Sequence, residues 1–254
     1  MVKGVKKFKE FFAGHEDKYI IIGGTACDIQ IEDAGLIPRA TQDIDLILIV
    51  EALDKAFVEQ FWEFVKAGNY EKNEKEEAER KYYRFVKPEN NEFPLQLELF
   101  ARTPDILDIK EGVELTPIPM DDDLSSLSAI LMDENYYTFT VANSIQQDNI
   151  SIANTAALIV LKARAFIDWT KKKTDGVQGA TKHIRKHKND IFRLIPLLAP
   201  GLKIETPESI HKDLKELSKI IGDEIPGNEI FNHMGLKIEP TEVWTQFKNN
   251  FSLD

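Results

Sequence analysis

Cysteine is all but missing from this chain. Cys27 is the only one in 254 residues, so no disulfide can close within it and nothing points to an oxidising compartment. Long apolar runs are missing too: "YIIIGG" and "LILIV" are strand-sized, well short of the roughly 20 residues a membrane helix needs. The opening "MVKGVKKFKEFFAGHEDK" is basic and amphipathic but lacks an apolar signal core and a small-residue cleavage site. It reads as a surface helix, not a leader. The expectation is a cytoplasmic protein with no membrane partner. Basic residues are the minority, 32 Lys and Arg against 43 Asp and Glu, with a formal net charge of -11. That balance disfavours a general nucleic-acid binder, which gains affinity by neutralising phosphates. Internal repeats are absent, and the only biased stretch is "EKNEKEEAERK". Five histidines show no metal spacing. His183 and His187 stand four apart on a predicted helix, but amid lysines and without a third ligand, which argues against zinc.

What is present is ordinary globular material, 43% apolar and 30% charged, enough for one large domain or two modest ones. The first half alternates strand-like and helical runs. "KYIII" predicts a strand ending at Gly23-Gly24, and "TACDIQIEDAG" a helix stopping at Gly35. "DIDLILIV" predicts a strand, and "EALDKAFVEQFWEFVKAG" an amphipathic helix closed by Gly68. "KYYRFVK" and "PLQLELFAR" predict an antiparallel pair. Across 104–150 the most strand-like piece is "YYTFTV", while "DDDLSS" reads as a loop in which Asp123 caps a short helix. From about residue 151 the texture turns helical, in "IANTAALIVLKARAFIDWTKKK", "TKHIRKHKNDIFRLIPLL", "TPESIHKDLKELSKIIG" and "TEVWTQFKNNF". The fold class expected is α+β: a small mixed sheet in a domain over 1–150, followed by an all-helical domain over 151–254.

The segment "TQDIDL" carries the chemistry. Side chains alternate along a strand, so Asp43 and Asp45 share a face while Ile44 and Leu46 take the other. Two carboxylates so close repel, and burying them unpaired costs several kcal/mol. Arg39 would neutralise them in a purely structural cluster; a divalent cation would do so while leaving positions open for phosphate and water. Twenty residues earlier stand Gly23 and Gly24 at a strand end, with a helix opening at Thr25. Adjacent glycines let backbone approach an anion, and the helix start supplies free N–H groups and partial positive charge. The bland alternative is a strand end with Thr25 as a helix cap. In "PLQLELFAR", Glu98 projects between Leu97 and Leu99 and is the candidate third acid; Gln96 shares its face, so a half-exposed polar strand is the competing reading.

This pattern resembles the nucleotidyltransferase superfamily that includes DNA polymerase β-like enzymes. The form "GGTA" followed by "RATQDIDL" is most similar to the branch of AbiEii-type toxins of toxin–antitoxin and abortive-infection systems. The resemblance rests on Gly23, Gly24, Thr25 and Ala26, then Arg39, Thr41, Asp43 and Asp45. It is specific over residues 20–47, weaker over 94–101 and 155–194, and slight over 104–150 and beyond 200. That branch also carries a helical lysine and a later aspartate, for which Lys162 in "LIVLKARAF" and Asp190 in "KHKNDIFRL" are the looser matches. On its own terms, Lys162 lies in an apolar helix and either snorkels out or points into a cleft.

The resemblance implies a nucleotidyl transfer from an NTP to an acceptor hydroxyl. Gly23, Gly24, Thr25, Arg39, Thr41, Lys162 and Asp190 would bind the nucleotide, and Asp43, Asp45 and Glu98 would hold Mg2+ in a two-metal site. Residues 171–188, with seven Lys or Arg, two His and one acid, read either as a solvated helix face or as an anion-binding surface suited to an RNA end such as a tRNA. A small hydroxyl compound, as for antibiotic-modifying relatives, or a protein side chain is the other acceptor, and a cognate antitoxin is an implied partner. Two rivals stand beside this: a catalytically degenerate nucleotide- or partner-binding protein of the same fold, and a nucleotide-sugar glycosyltransferase, for which the roughly 40 residues before the acidic pair are short.

Overall fold

The structure, a computed structural model, describes residues 3–70, 82–100, 130, 133–222 and 224–253. The stretches "EKNEKEEAERK" and "DDDLSS", with Asp123, lie outside the described residues. The described residues form an α+β protein whose six strands make one mixed sheet. By compactness the chain divides into two units. The first is built from Met1–Ile29, Arg39–Leu131 and Ser144–Ala153, the second from Gln30–Pro38, Met132–Asn143 and Asn154–Asp254.

Unit 1 holds the sheet. Its strands are β1 (Tyr19–Ile22), β2 (Asp43–Leu48), β3 (Tyr82–Val86), β4 (Gln96–Phe100), β5 (Ser144–Gln147) and β6 (Ile150–Ala153), in the spatial order β3-β4-β2-β1-β6-β5. β2 runs antiparallel to β1 and parallel to β4; β3 and β4 form the expected antiparallel pair. All four residues of β1, "YIII", are buried, the pattern of a strand covered on both faces. β5 and β6 join through Asp148 and Asn149, both in the left-handed region (φ 47 and 60) that a tight two-residue hairpin requires.

Helices α1 (Val5–Phe12) and α3 (Lys55–Gly68) cover this sheet with aromatic side chains. Phe8, Phe12, Tyr19, Phe57, Phe61 and Phe64 are fully buried. Their ring centroids lie 4.4 Å (Phe8–Phe12) to 6.4 Å (Phe12–Phe61) apart, in the range where edge-on and tilted pairs add to plain burial. α1 is therefore a docked helix, with Val5, Phe8 and Phe12 inward. Asp54 caps α3 by accepting from the Phe57 N–H at 2.8 Å. Gly68 does not close α3. Asn69 does, in the left-handed conformation (φ 46). Gly68 is needed for space, since a Cβ there would stand 2.5 Å from Tyr70 Cε2 and 2.9 Å from Phe93 Cδ1.

Unit 2 is helical. It contains α4 (Glu134–Ala142), α5 (Thr155–Thr174), α6 (Ala180–Leu194), α7 (Glu208–Ile221), α8 (Glu229–His233) and α9 (Pro240–Phe251). The change to helix comes later than residue 151: Ile150–Ala153 is strand β6, and Asn154 caps α5 through the Ala157 N–H at 3.0 Å. Conversely, "YYTFTV" is helix, not strand. It lies in α4, capped by Asp133 through the Asn135 N–H, and its β-branched and aromatic residues are held by tertiary bonds: Tyr136 donates to Asp213 at 2.6 Å. Packing outweighs strand propensity there. α5 is the central element, buried without a break from Ala156 to Ala163, and it packs against α6 and α7. The remaining helix, α2 (Gly23–Asp33), starts at the end of β1; its residues up to Ile29 belong to unit 1.

Candidate active site

Strand register builds the site. In the parallel pair β2–β4, Asp43 lies opposite Gln96 and Asp45 opposite Glu98; in the antiparallel pair β3–β4, Arg84 lies opposite Glu98. Residues in register share a face, so Asp43, Asp45, Gln96, Glu98 and Arg84 form one polar patch across three neighbouring strands. The opposite face is apolar: Ile44, Leu46, Leu97 and Leu99 are fully buried, and the Phe85 ring meets Phe61, Trp62 and Tyr70. Further along, Ile47 and Phe100 take over the polar face and are buried. The patch is thus confined to the first turns of β2 and β4, beside the end of β1, where Ile22 pairs with Asp45.

The glycines at that end have a measurable duty. Gly23 is left-handed (φ +67), and a Cβ on it would sit 1.8 Å from Asp45 Oδ2; one on Gly24 would sit 2.9 Å from Thr41 Cγ2 and Oγ1. Both positions exclude a side chain because the acidic strand and its entry loop pass directly over them. Thr25 is fully buried, and its hydroxyl donates to the main-chain carbonyl of Asp43. It ties the start of α2 to β2, with its hydroxyl inward. Asp28, also fully buried, accepts from the backbone N–H groups of Thr41 (2.6 Å) and Arg39 (3.3 Å). It fixes the loop in which Ala40 takes a left-handed turn (φ 62). The Arg39 side chain is exposed.

Electrostatics on the patch are strained and compensated. Burial, then the neighbouring Asp45 charge, pushes the Glu98 carboxyl up to about 8, against the pull of Arg84. Asp45 and Glu98 are in hydrogen-bond contact, which adds to the upward push on the Glu98 carboxyl. Glu98 Oε1 accepts from Arg84 Nε at 2.6 Å and from Gln96 Nε2 at 2.7 Å. Among the described residues, no three His, Cys, Asp or Glu side chains are gathered as a ligand set. The donors are nonetheless of the type a hard divalent cation takes: Asp43, Asp45 and Glu98 offer only oxygen.

Lys162 and Asp190 belong to unit 2. They are 7% and 2% exposed and form an ion pair of 3.1 Å across α5 and α6, with Arg193 3.3 Å from the other Asp190 oxygen. The lysine does not snorkel outward. His187, one turn before Asp190, is held well below the usual imidazole range by burial and by the Lys162 charge. In the 171–188 segment, Lys171, Lys173, Lys182, Arg185 and Lys186 are exposed. Lys172 lies over the Trp169 ring (4.5 Å), which stacks on His183 at 4.1 Å.

Two participants escaped sequence reasoning. Asp28 carried a signal, an acid inside the apolar helical run "TACDIQI". Arg84 carried a fainter one, since its pairing with Glu98 depends on a register that no turn of fixed length sets. No protein-family model matches the chain, and no curated protein matches it.

Proposed function

We propose that the chain is a Mg2+-dependent nucleotidyltransferase that moves an NMP from an NTP to an acceptor hydroxyl. The observation that carries this reading is the register: Asp45 beside Glu98, Asp43 two residues earlier on the same face, and all three at the strand end where Gly23 and Gly24 open a helix. In this reading Asp43, Asp45 and Glu98 hold the cation. When bound, it would screen the triphosphate and acidify the acceptor hydroxyl. The backbone of Gly23 and Gly24 and the first N–H groups of α2 receive phosphate oxygens. Thr25 and Asp28 act as positioning residues, one fastening α2 to β2 and the other shaping the Arg39–Thr41 loop, so that Arg39 and Thr41 flank the phosphates. Lys162 and Asp190 belong to unit 2, where they hold each other in a buried ion pair. The exposed cations of 171–188 suit an RNA acceptor such as a tRNA, which is the activity a toxin countered by an antitoxin would have; a small-molecule acceptor fits the net acidity.

Transfer from α-labelled NTPs tests this. Asp43→Ala and Asp45→Ala are expected to abolish labelling of total RNA or of a small-hydroxyl panel while circular dichroism stays unchanged. Undiminished transfer by either variant overturns the reading. An RNA acceptor bound through 171–188 should also show affinity falling steeply with salt, and a flat response removes RNA as the acceptor.

One observation favours a second reading, a nucleotide- or partner-binding protein without turnover. Arg84 and Gln96 already satisfy a Glu98 oxygen without any ion. Nucleotide binding by calorimetry with no labelled product would select it.

A further inference from the structure

We propose that Arg84 is the built-in counter-ion of the acidic patch and competes by its charge with a divalent cation for the acids there. This rests on reading the patch as a cation site. Three observations converge on it. Arg84 stands on β3, among the described residues the last strand of the sheet on that side, directly opposite Glu98 in the register. Its Nε lies 2.6 Å from Glu98 Oε1, and the two side chains are only 12% and 10% exposed, so water screens the pair little. Gln96 Nε2 reaches that same oxygen at 2.7 Å. A carboxylate oxygen has two in-plane lone pairs. With one given to Arg84 and one to Gln96, Oε1 is fully engaged, which leaves Oε2 as the Glu98 oxygen a metal would meet.

Competition follows from charge. A guanidinium cannot lose its proton, so it must stay beside the dication or move away, and both disfavour cation binding. Arg84 takes no part in the β2–β4 pairing that aligns the acids, so replacing it leaves that register in place. Replacing it with an uncharged side chain should therefore tighten cation binding. A merely structural arginine predicts the reverse, because a loosened patch would bind more weakly.

The test is calorimetric titration of the full chain with Mn2+ after chelator treatment, comparing wild type, Arg84→Met, Arg84→Gln, Arg84→Lys and Asp45→Asn. Folding of each is checked by circular dichroism. Arg84→Met is expected to bind Mn2+ on the order of tenfold more tightly, from removing one unit charge near the site. Arg84→Lys should stay near wild type, and Asp45→Asn should lose the site. Should Arg84→Met fail to fold, Arg84→Gln, which keeps a donor but not the charge, carries the same expectation. Equal or weaker Mn2+ binding by the folded neutral variants, with Asp45-dependent binding intact in wild type, overturns the role of Arg84 and leaves the transferase reading standing. No Asp45-dependent binding in wild type or in either neutral variant overturns both.

Discussion

Replacing Glu98 with glutamine should remove the loss of stability that the wild type suffers as pH rises. The Glu98 carboxyl sits at about 8 in the folded chain against an ordinary 4.5. Between those values the folded state keeps a proton that the unfolded state has released. Stability then falls as pH rises, by up to about 1.4 kcal/mol per pH unit where one full proton separates the states. The stabilisation is fully present below 4.5, drains through the window and is gone above about 8. Across the whole span the loss is bounded on the order of 5 kcal/mol. The amide of Glu98→Gln preserves shape and cannot ionise. Hydrogen exchange of the β2 and β4 amides, measured with a chelator from pH 5 to 9, reads unit 1 directly. Comparing the two proteins at each pH cancels intrinsic exchange and the opposite contribution of His187, whose lowered value makes acid destabilising in both. Wild-type protection should drop relative to the variant as pH rises towards 8. A constant ratio across that range would mean that Glu98 is ionised in the folded protein, and the electrostatic account of the patch would fail.

Other consequences can be measured independently. Gly23→Ala should cost about 1–3 kcal/mol in chemical denaturation from the left-handed backbone alone, and should also displace the Asp45 carboxylate, removing any Asp45-dependent cation binding. Lys162→Met should destabilise unit 2 by about 3–5 kcal/mol by leaving Asp190 buried with a lost partner, while Lys162→Met combined with Asp190→Leu recovers most of that in a thermal melt. Asp28→Ala should leave two backbone N–H groups unsatisfied, at about 1–3 kcal/mol, and speed exchange of the Thr41 amide above that of β1.

The sequence made the strands legible because burial and alternation coincide in them. "YIII" and "DIDLIL" could be placed, and the shared face of Asp43 and Asp45 follows from a period of two. Glu98 was visible for the same reason. What stayed hidden were interactions set by register or by packing. Arg84 meets Glu98 across 14 residues of chain, and nothing local fixes which β3 residue faces which on β4. Thr25 read as a phosphate contact or a helix cap, yet its hydroxyl donates to the Asp43 carbonyl, which β2 presents at that spot. Gly68 looked like a helix stop but makes room for Tyr70 and Phe93. "YYTFTV" misled because its residues favour strands in isolation, while its neighbours, Asp213 among them, reward a helix.

The compensation on the acidic patch bears on what kind of protein this is. A fold with no use for three acids on one partly buried face would be more stable with apolar residues there, since isolated buried charges are costly and even paired ones rarely repay their desolvation. Here the cost is offset by the proton that burial holds on Glu98, a guanidinium and an amide, all converging on Glu98. If the patch is a cation site, a dication has to outweigh all three, and the Arg84 variants measure the guanidinium's share of that cost. If it is a permanent ion cluster, removing the guanidinium only weakens it, so the two readings part on the sign of one measurement.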